Sequence, residues 1–185
     1  AGIAGGVYAA GKKGVTLMSA QVFQGNSTAS SFQNAIVWGA DNGAVISQNS
    51  WGNDYDFDGN DVLSAYEKDY ALRDRISSSM AAAIDYFIAY AGCDKDGNQK
   101  PGSPMKGGLV VFAAGNYGIA NGVPASYAPV IAVGASGMTG RLSSFSNYGS
   151  WVDICAPGES IYSCVASGSY GRSQGTSMAC PPFSG

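Results

Sequence analysis

Short apolar runs that alternate with a helical pattern restrict the fold more than any other feature of this chain. Residues 15–23 are β-branched and apolar over the length of one strand, and residues 44–49 form a second such run. Between them, after a cap at Thr28 or Ser30, apolar residues recur at helical spacing: Phe32, Ala35, Ile36 and Gly39. Strand, helix and strand at this spacing predict a βαβ unit, and therefore a parallel sheet with a right-handed crossover.

The rest of the chain continues this alternation. Residues 1–14 are small and apolar, as in a close-packed helix, and a long helix is predicted from about Ser64 to Ala91. Further strands are predicted at 108–113, 130–133 and 152–154, whereas residues 167–174 are predicted as a polar, Gly-rich loop. Because no internal repeat or linker interrupts the pattern, residues 1–185 are predicted to form a single α/β domain.

Composition argues against two classes of partner. Apolar residues make up 45% of the 185 residues and charged residues only 12%, which is typical of a globular domain with a substantial core. The net charge of -3 provides no basic patch, so no nucleic-acid partner is predicted. No uninterrupted apolar run approaches the ~20 residues that cross a bilayer, so no membrane span is predicted.

The cysteines Cys93, Cys155, Cys164 and Cys180 allow three disulfide pairings, and the sequence does not choose among them. We interpret them as free buried thiols, because cysteine behaves as a small hydrophobe in protein cores. If a bridge forms, Cys155–Cys164 is the favoured pair.

Three short loops stand at the ends of predicted strands: Ser50-Trp51-Gly52, Ala114-Gly115-Asn116 and Gly175-Thr176-Ser177. The last is typical of a tight turn that leads into a helix, where unpaired N–H groups offer positive potential to a developing anion. A serine in that position can act as a nucleophile if a base activates it. The alternative is that Ser177 or Thr176 is an ordinary helix N-cap.

The other two loops supply groups that acyl transfer requires besides a nucleophile. The reaction needs a hydrogen-bond donor aimed at the oxyanion, and a binding edge for the peptide. The side-chain amide of Asn116 and the backbone N–H of Ser177 are candidate donors, and Ser50 to Gly52 can pair with a peptide by strand addition. The alternative for Ala114-Gly115-Asn116 is an ordinary turn after a strand.

Several segments resemble the subtilisin-like serine proteases (subtilases). Residues 175–181, Gly-Thr-Ser-Met-Ala-Cys-Pro, match the family's nucleophile motif, and residues 112–116 look like its oxyanion-asparagine strand. Residues 48–52 are similar to its substrate-binding strand. Residues 1–5 resemble the helix after the catalytic histidine, and residues 124–135, 145–149 and 153–158 match further family segments. The matches follow the family order over nearly the whole chain, apart from about residues 53–106.

The resemblance implies a subtilisin-like α/β fold, a three-layer parallel sheet with helices on both faces, truncated here at both ends to a partial catalytic domain. It implies a serine endopeptidase in which Ser177 attacks the scissile carbonyl and Asn116 stabilises the oxyanion. The implied substrate-binding residues are Ser50, Trp51, Gly52, Ala114, Gly115 and Thr176, with Ser27 to Ala29 as a strand across the cleft. A peptide or protein substrate, no required cofactor, and a secreted or cell-envelope location are also implied.

The chain departs from the subtilase pattern in three respects. The family's catalytic Asp and His precede its Ser, both would lie upstream of Ala1, and the chain contains no histidine. Pro182-Phe183 stands where the family usually has a histidine after Ala179-Cys180. The helix that carries the nucleophile stops at Gly185, and Pro181-Pro182 is tolerable in a first helical turn but not much deeper. We therefore expect the chain alone to be inactive.

A further consequence of the resemblance concerns the sheet. The family places its aspartate strand near the centre of the parallel sheet, so a chain without it is expected to have a gap bordered by unpaired edges and exposed apolar faces. The missing N-terminal segment, or a second copy of the chain, is the expected occupant of this gap.

Two rival functions are considered beside the protease. One is a pseudoprotease that keeps the cleft for peptide binding only, and an Asp-Thr-Gly-like strand and a His-Gly-Thr-His-like helix upstream would decide against it. The other is a serine hydrolase of a different fold, but residues 175–184 lack the Gly-x-Ser-x-Gly elbow.

An acidic stretch at residues 54–60 resembles the first half of a calcium loop, with oxygen ligands at alternate positions and a glycine at the sharp turn. The acid that should close the loop falls at Ala65, and Glu67 is two residues late. We interpret the stretch as a solvated acidic turn, with calcium binding by Asp54, Asp56 and Asp58 as the alternative. Turn chemistry explains residues 94–98, and zinc is not predicted because the chain has no histidine and no close cysteine pair.

Overall fold

A computed structural model describes residues 15–23, 29–53 and 75–185. Within these ranges the helices are α1 (Ala29–Asp41), α2 (Ser78–Tyr90) and α3 (Thr176–Ser184). The strands are β1 (Ile46–Asn49), β2 (Leu109–Ala113), β3 (Ile131–Ser136), β4 (Ile154–Pro157), β5 (Ile161–Val165) and β6 (Ser169–Ser173). The predicted helix over residues 1–14 lies outside the described ranges.

Strands β1 to β4 form one parallel sheet in the order β1-β2-β3-β4. The predicted parallel sheet is confirmed, and the four predicted strands that form it, at 44–49, 108–113, 130–133 and 152–154, are correct to within a few residues. The register pairs Asn49 with Phe112, and Ala113 with Val133. The carboxyl ends of β1 and β2 therefore lie side by side, so the loops that follow these two strands start from the same edge of the sheet.

Helices cover both faces of this sheet, as the three-layer prediction requires. On one face, Val110, Phe112 and Ala132 pack in a core with Ile36 of α1 and with α2, where Ile84 and Phe87 are almost fully buried. On the opposite face, the intervening residues Val111, Ala113 and Val133 pack against Ala179 and Cys180 of α3. This division follows from the period of two along a strand, which sends successive side chains to opposite faces.

The predicted long helix from Ser64 to Ala91 is wrong at its start. Ser77 has an extended backbone (φ -67, ψ 148), and its hydroxyl accepts a hydrogen bond from the Met80 N–H at 3.3 Å. Ser77 is therefore an N-cap, because its side chain satisfies a first-turn donor that has no partner within the helix. Residues 64–74 lie outside the described ranges. The predicted end is confirmed, since Gly92 follows the helix with φ +69.

Two other local predictions are wrong. Residues 15–23 form no strand, because an apolar run becomes a strand only when a neighbouring strand shares its backbone hydrogen bonds. Residues 169–173, predicted as loop, are instead β6, which pairs antiparallel with β5. Most residues of this hairpin are exposed, so no buried face imposes an apolar alternation on its sequence. Across it, the rings of Tyr162 and Tyr170 stack at 5.7 Å.

Candidate functional site

The structure brings the three predicted loops together around one cleft of about 440 Å³. Two of the loops leave the carboxyl ends of β1 and β2, and the third leads into α3, which packs on the same sheet. All eight residues predicted to form the site line this cleft: Ser50, Trp51, Gly52, Ala114, Gly115, Asn116, Thr176 and Ser177. Residues more than sixty positions apart in the chain are thereby placed within hydrogen-bonding distance of one another.

Ser177 is the second residue of α3 and is half-buried at the cleft. Gly175 is the N-cap of the helix with φ +142, a backbone angle that residues with a side chain rarely adopt. The Ser177 hydroxyl donates to the Ser50 carbonyl oxygen at 3.3 Å. The predicted alternative of an N-cap is wrong for Ser177 and for Thr176, because both lie inside the helix and the cap is Gly175.

Pro181 and Pro182 stand inside α3, deeper than the first turn, where prolines are poorly tolerated. Pro181 has no N–H group, so it cannot donate to the carbonyl of Ser177 four residues earlier. The Ser50 hydroxyl donates to that carbonyl instead, at 2.9 Å. This exchange satisfies the carbonyl that Pro181 leaves open, and it also ties the start of α3 to the end of β1.

Asn116 faces Ser177 from the β2 loop and is itself exposed. Its side-chain oxygen accepts from the Thr176 N–H at 2.7 Å and lies 3.0 Å from the Thr176 hydroxyl. That hydroxyl also accepts from the Gly115 N–H at 3.0 Å, so the fully buried Thr176 joins α3 to the β2 loop. Within the described part of the chain, Asn116 Nδ2 has no hydrogen-bond acceptor, which leaves the two amide protons available to a ligand.

One wall of the cleft is formed by the residues that follow β1. The centroid of the Trp51 ring lies 4.6 Å from that of Phe32 and 4.9 Å from that of Phe112. The Trp51 side-chain N–H donates to Asn49 Oδ1 at 3.1 Å. Gly52 lies so close to the neighbouring segment that an added Cβ would be 3.2 Å from the Val123 carbonyl oxygen. These contacts hold the wall against the sheet, and a side chain at Gly52 would need the Val123 carbonyl to shift by a few tenths of an ångström.

The cleft provides no general base from the residues that the structure describes. No Asp, Glu, Lys or Arg is among its described lining residues, and the chain has no histidine. The Ser177 hydroxyl therefore has a carbonyl oxygen as its acceptor in place of a group that could remove its proton. By itself this arrangement can bind and orient a peptide carbonyl, but it lacks the proton acceptor that the nucleophile needs.

The sequence prediction missed seven of the residues that line the cleft: Phe23, Asn53, Ala113, Tyr117, Gly122, Val123 and Asn147. Phe23, Gly122 and Val123 contribute to the cleft walls, and the buried Asn147 lies behind the Asn116 loop. Asn147 stands within the segment 145–149 that resembles the subtilases, and this resemblance was the only sequence signal that marked it. Nothing in its local sequence indicates a contact with residues 114–121, because β3 and the loop after it separate the two segments in the chain.

All four cysteines are free, as predicted, and no Cys155–Cys164 bridge forms. Cys93 and Cys180 are buried, but Cys155 and Cys164 are exposed, so the prediction that all four thiols are buried is wrong for half of them. Cys180 lies on α3 with its sulfur 3.5 Å from Gln48 Nε2. Burial raises the pKa of the Cys180 thiol, which keeps it protonated and unreactive at neutral pH.

This difference in burial predicts the pattern of alkylation. In the natively folded protein, we expect iodoacetamide to modify Cys164 on the hairpin and to leave Cys93 and Cys180 unmodified until denaturant is added, because Cys180 is 0% and Cys93 6% exposed. Peptide mass spectrometry of samples alkylated before and after denaturation measures this difference. Rapid native alkylation of Cys180 would contradict the packing of α3 against the sheet.

The remaining predictions fall partly outside the described ranges. Asp54, Asp56 and Asp58 lie outside them, as do Ser27 and Thr28, whereas Ala29 begins α1 and is not part of a strand. Among the described residues, no group of three or more His, Cys, Asp or Glu side chains is placed to hold a metal ion. No helix in the same ranges is long and apolar enough to span a membrane.

Turn chemistry accounts for residues 94–98, as predicted. The Asp94 carboxylate accepts from the Asn98 and Asp96 N–H groups, each at 2.9 Å. The hydrogen bond from Asn98 is the main cause that lowers the pKa of Asp94 below its ordinary value. The Asp94 carboxylate therefore stabilises its own turn by accepting these two hydrogen bonds.

Comparison with known proteins identifies the family to which this chain is similar. The model of the subtilase family matches residues 1–185. The thermophilic serine proteinase of Bacillus sp. (strain AK1) is 53% identical over 81 residues, which are 43% of this chain and 20% of that protein. The major intracellular serine protease of Bacillus subtilis (strain 168) is 46% identical over 85 residues, which are 43% of this chain and 27% of that protein.

A solved structure extends the likeness to most of the fold. The prenylagaramide maturation protease PagA superposes with a TM-score of 0.63 and 28% identity, over 89% of this chain and 50% of that one. The chain thus spans about half the length of this structural relative, and the segments matched in the two bacterial proteases span less than a third of those proteins.

Proposed function

Because the chain belongs to the subtilase family, we propose that it forms the nucleophile-bearing part of a serine endopeptidase. One observation carries this proposal: Ser177 at the start of α3 and the Asn116 amide meet at a single cleft, joined through the buried Thr176. An N-cap serine or an ordinary turn after a strand would not require this convergence. It brings together two of the groups that acyl transfer to a serine needs, a nucleophile and a donor for the oxyanion.

In the proposed reaction, the Ser177 Oγ attacks the scissile carbonyl carbon and its proton passes to a base. The carbonyl oxygen becomes an oxyanion, which the Asn116 Nδ2–H₂ group and the Ser177 backbone N–H stabilise by hydrogen bonds. Because Ser177 lies in the first turn of α3, the positive end of the helix dipole also stabilises the oxyanion. The leaving amine takes the proton back from the base, and water then hydrolyses the acyl-enzyme by the same route.

The base is proposed to come from a part of the protein outside these 185 residues. The subtilase triad contains Asp, His and Ser in that chain order, and this chain has no histidine. When the imidazole is in place, the Ser177 hydroxyl must turn from the Ser50 carbonyl, its acceptor here at 3.3 Å, towards the imidazole nitrogen. A hydrogen bond of that length is weak and its loss costs little.

The groove beside β1 supports a position for this missing segment. Among the described residues β1 pairs with β2 alone, and a groove of about 350 Å³ lies between residues 18–23 and β1. Apolar side chains in this region remain accessible, with Leu17 57% and Phe23 69% exposed. We propose that a strand of the same protein fills this groove and carries the catalytic aspartate, with a second copy of the chain as the alternative occupant.

The proposed substrate is a peptide bound in extended form along Ser50 to Gly52. Because the described lining carries no charged side chain, an uncharged side chain next to the scissile bond suits the cleft better than a charged one. No cofactor is required for this chemistry. Calcium binding by Asp54, Asp56 and Asp58 is a separate proposal, and calorimetric titration of the full-length protein with calcium would reject it if no heat is released.

A secreted or cell-envelope location is proposed from the family resemblance alone. One matched relative is named as an intracellular protease, so membership of the family does not by itself assign the location. Fractionation of the source cells, with detection of the protein in medium, envelope and cytoplasm, decides between the two.

An active-site probe tests the proposed function. We expect an organophosphate to label Ser177 in the full-length protein, and to leave the 185-residue chain unlabelled unless an N-terminal fragment that carries the Asp and His segments is added. The Ser177→Ala variant of the full-length protein should not be labelled. If the correctly folded full-length protein is neither labelled nor active, the rival function, peptide binding without catalysis, is favoured. Turnover by the isolated chain that Ser177→Ala abolishes would contradict the expected inactivity.

A further inference from the structure

A buried amide lies behind the loop that carries Asn116. Asn147 belongs to the connection between β3 and β4 and is 1% exposed. Its Nδ2 group donates to the carbonyl oxygens of Ala114 and Asn121, at 3.1 and 2.7 Å. Its Oδ1 accepts from the N–H groups of Tyr117 and Ile119, at 2.8 and 3.3 Å. Both donors and both acceptor positions of the side chain are therefore used.

These partners bracket Asn116 in the chain. Ala114 precedes it, and Tyr117 and Ile119 follow it, so the hydrogen bonds hold the backbone on both sides of the exposed side chain. The Asn147 backbone N–H adds a bond to the Gly115 carbonyl oxygen at 2.9 Å. One buried residue thus bonds to five backbone polar groups of residues 114–121, on both sides of Asn116.

Gly115 allows this contact to be so close. It has φ +107, and an added Cβ would lie 2.3 Å from Asn147 Nδ2, well inside van der Waals contact. The glycine is therefore required both by its backbone angle and by the amide packed against it.

We infer that Asn147 is a positioning residue for the proposed oxyanion hole, which holds residues 114–119 so that Asn116 Nδ2 points into the cleft. The inference rests on the proposed function, in which Asn116 Nδ2 must point into the cleft to donate to the oxyanion. Only an amide on a short stem offers two donors and two acceptors here. An aspartate keeps the two acceptors for Tyr117 and Ile119, but directs a carboxylate oxygen at the carbonyls of Ala114 and Asn121.

A merely structural role would give a different experimental result. If Asn147 only stabilises the fold, its substitution lowers the melting temperature and leaves the turnover of the folded protein unchanged. If it acts through Asn116, its substitution lowers kcat with little change in KM, and has no further effect once the Asn116 amide is absent. A double-mutant cycle between the two positions separates these cases.

The cycle uses the full-length protease with Asn147→Asp, Asn116→Leu and both together. We expect Asn147→Asp to lower kcat by about 10- to 100-fold, since displacement of a catalytic group by ~1 Å has effects of this order, with KM changed less than about threefold. In the Asn116→Leu background, Asn147→Asp should lower kcat less than about twofold. Asn42→Asp on the surface serves as the matched control and should change neither constant.

Three outcomes would overturn the inference. The first is an equal loss of kcat in both backgrounds, and the second is a lower melting temperature with unchanged kcat. The third is an unchanged kcat in Asn116→Leu itself, which would also reject the oxyanion role of Asn116 and so is distinguishable from the other two. If Asn147→Asp does not fold, Asn147→Ser is measured in the same cycle, because a serine keeps one donor and removes the buried charge.

Discussion

Replacing Ser177 with alanine is expected to lower the kcat of the proposed protease activity of the full-length protein by about 10⁶, a magnitude taken from the loss of the nucleophile in subtilisin. The substitution removes the only atom that can form the acyl-enzyme in the proposed reaction. It also removes the 3.3 Å hydrogen bond to the Ser50 carbonyl, which contributes little to folding. The variant should therefore remain folded and bind substrate while turnover is lost.

Turnover of a peptide substrate and binding of the same peptide to the inactive variant measure this prediction. Ser184→Ala is the matched control, because Ser184 is also on α3 and its hydroxyl donates to a backbone carbonyl, that of Cys180, at 3.3 Å. The control should keep full activity and a similar melting temperature. A Ser177→Ala variant that retains more than about a hundredth of the activity would show that the nucleophile lies elsewhere.

Replacing Asn116 with leucine is expected to lower kcat by about 10²–10³ with KM nearly unchanged, the magnitude known for loss of the corresponding kind of donor in subtilisin. The amide protons act on charge that develops in the transition state, so their removal affects turnover more than binding. Leucine also removes the oxygen that accepts from the Thr176 N–H at 2.7 Å. This second loss requires a variant that separates the two contributions.

Asn116→Asp makes that separation. The aspartate oxygen can still accept from Thr176, so the contact between the β2 loop and α3 is kept, whereas the amide donor is replaced by a negative charge that repels the oxyanion. We expect Asn116→Asp to be at least as inactive as Asn116→Leu and closer to the unmodified protein in melting temperature. If Asn116→Asp kept full kcat, the side chain would be a structural link to Thr176 and not a catalytic donor.

The architecture was largely predictable because it depends on local patterns. The apolar runs that became β1, β2, β3 and β4 were recognisable by their length and composition, and the helical spacing of residues 32–39 identified α1. Two of the wrong predictions concern the start of α2 and the hairpin β5–β6, where a hydrogen-bond partner decides whether a residue is helical, extended or in a loop. Ser77 caps α2 by bonding the Met80 N–H, and the exposed hairpin β5–β6 is held by pairing across the turn at Ser167 and Gly168.

The candidate site was predictable to a smaller extent. The loops at Ser50, Asn116 and Ser177 were identified from chemistry and from the subtilase resemblance, and the structure brings them to one cleft. Asn147 was not singled out, because a buried asparagine differs from a surface one only by what surrounds it. The loop that it holds is about thirty positions away along the chain, as the separations of 30 and 28 to Tyr117 and Ile119 show.

Local sequence was thus sufficient for the parallel sheet, the three loops and membership of the subtilase family, since periodicity and short motifs are properties of neighbouring residues. Tertiary structure alone showed how Pro181 frees the Ser177 carbonyl for the Ser50 hydroxyl, across 127 positions of the chain. It likewise showed that Asn147 satisfies the backbone around Asn116. Such contacts arise because each buried polar group must find a partner wherever packing places one, and packing is set by the whole fold.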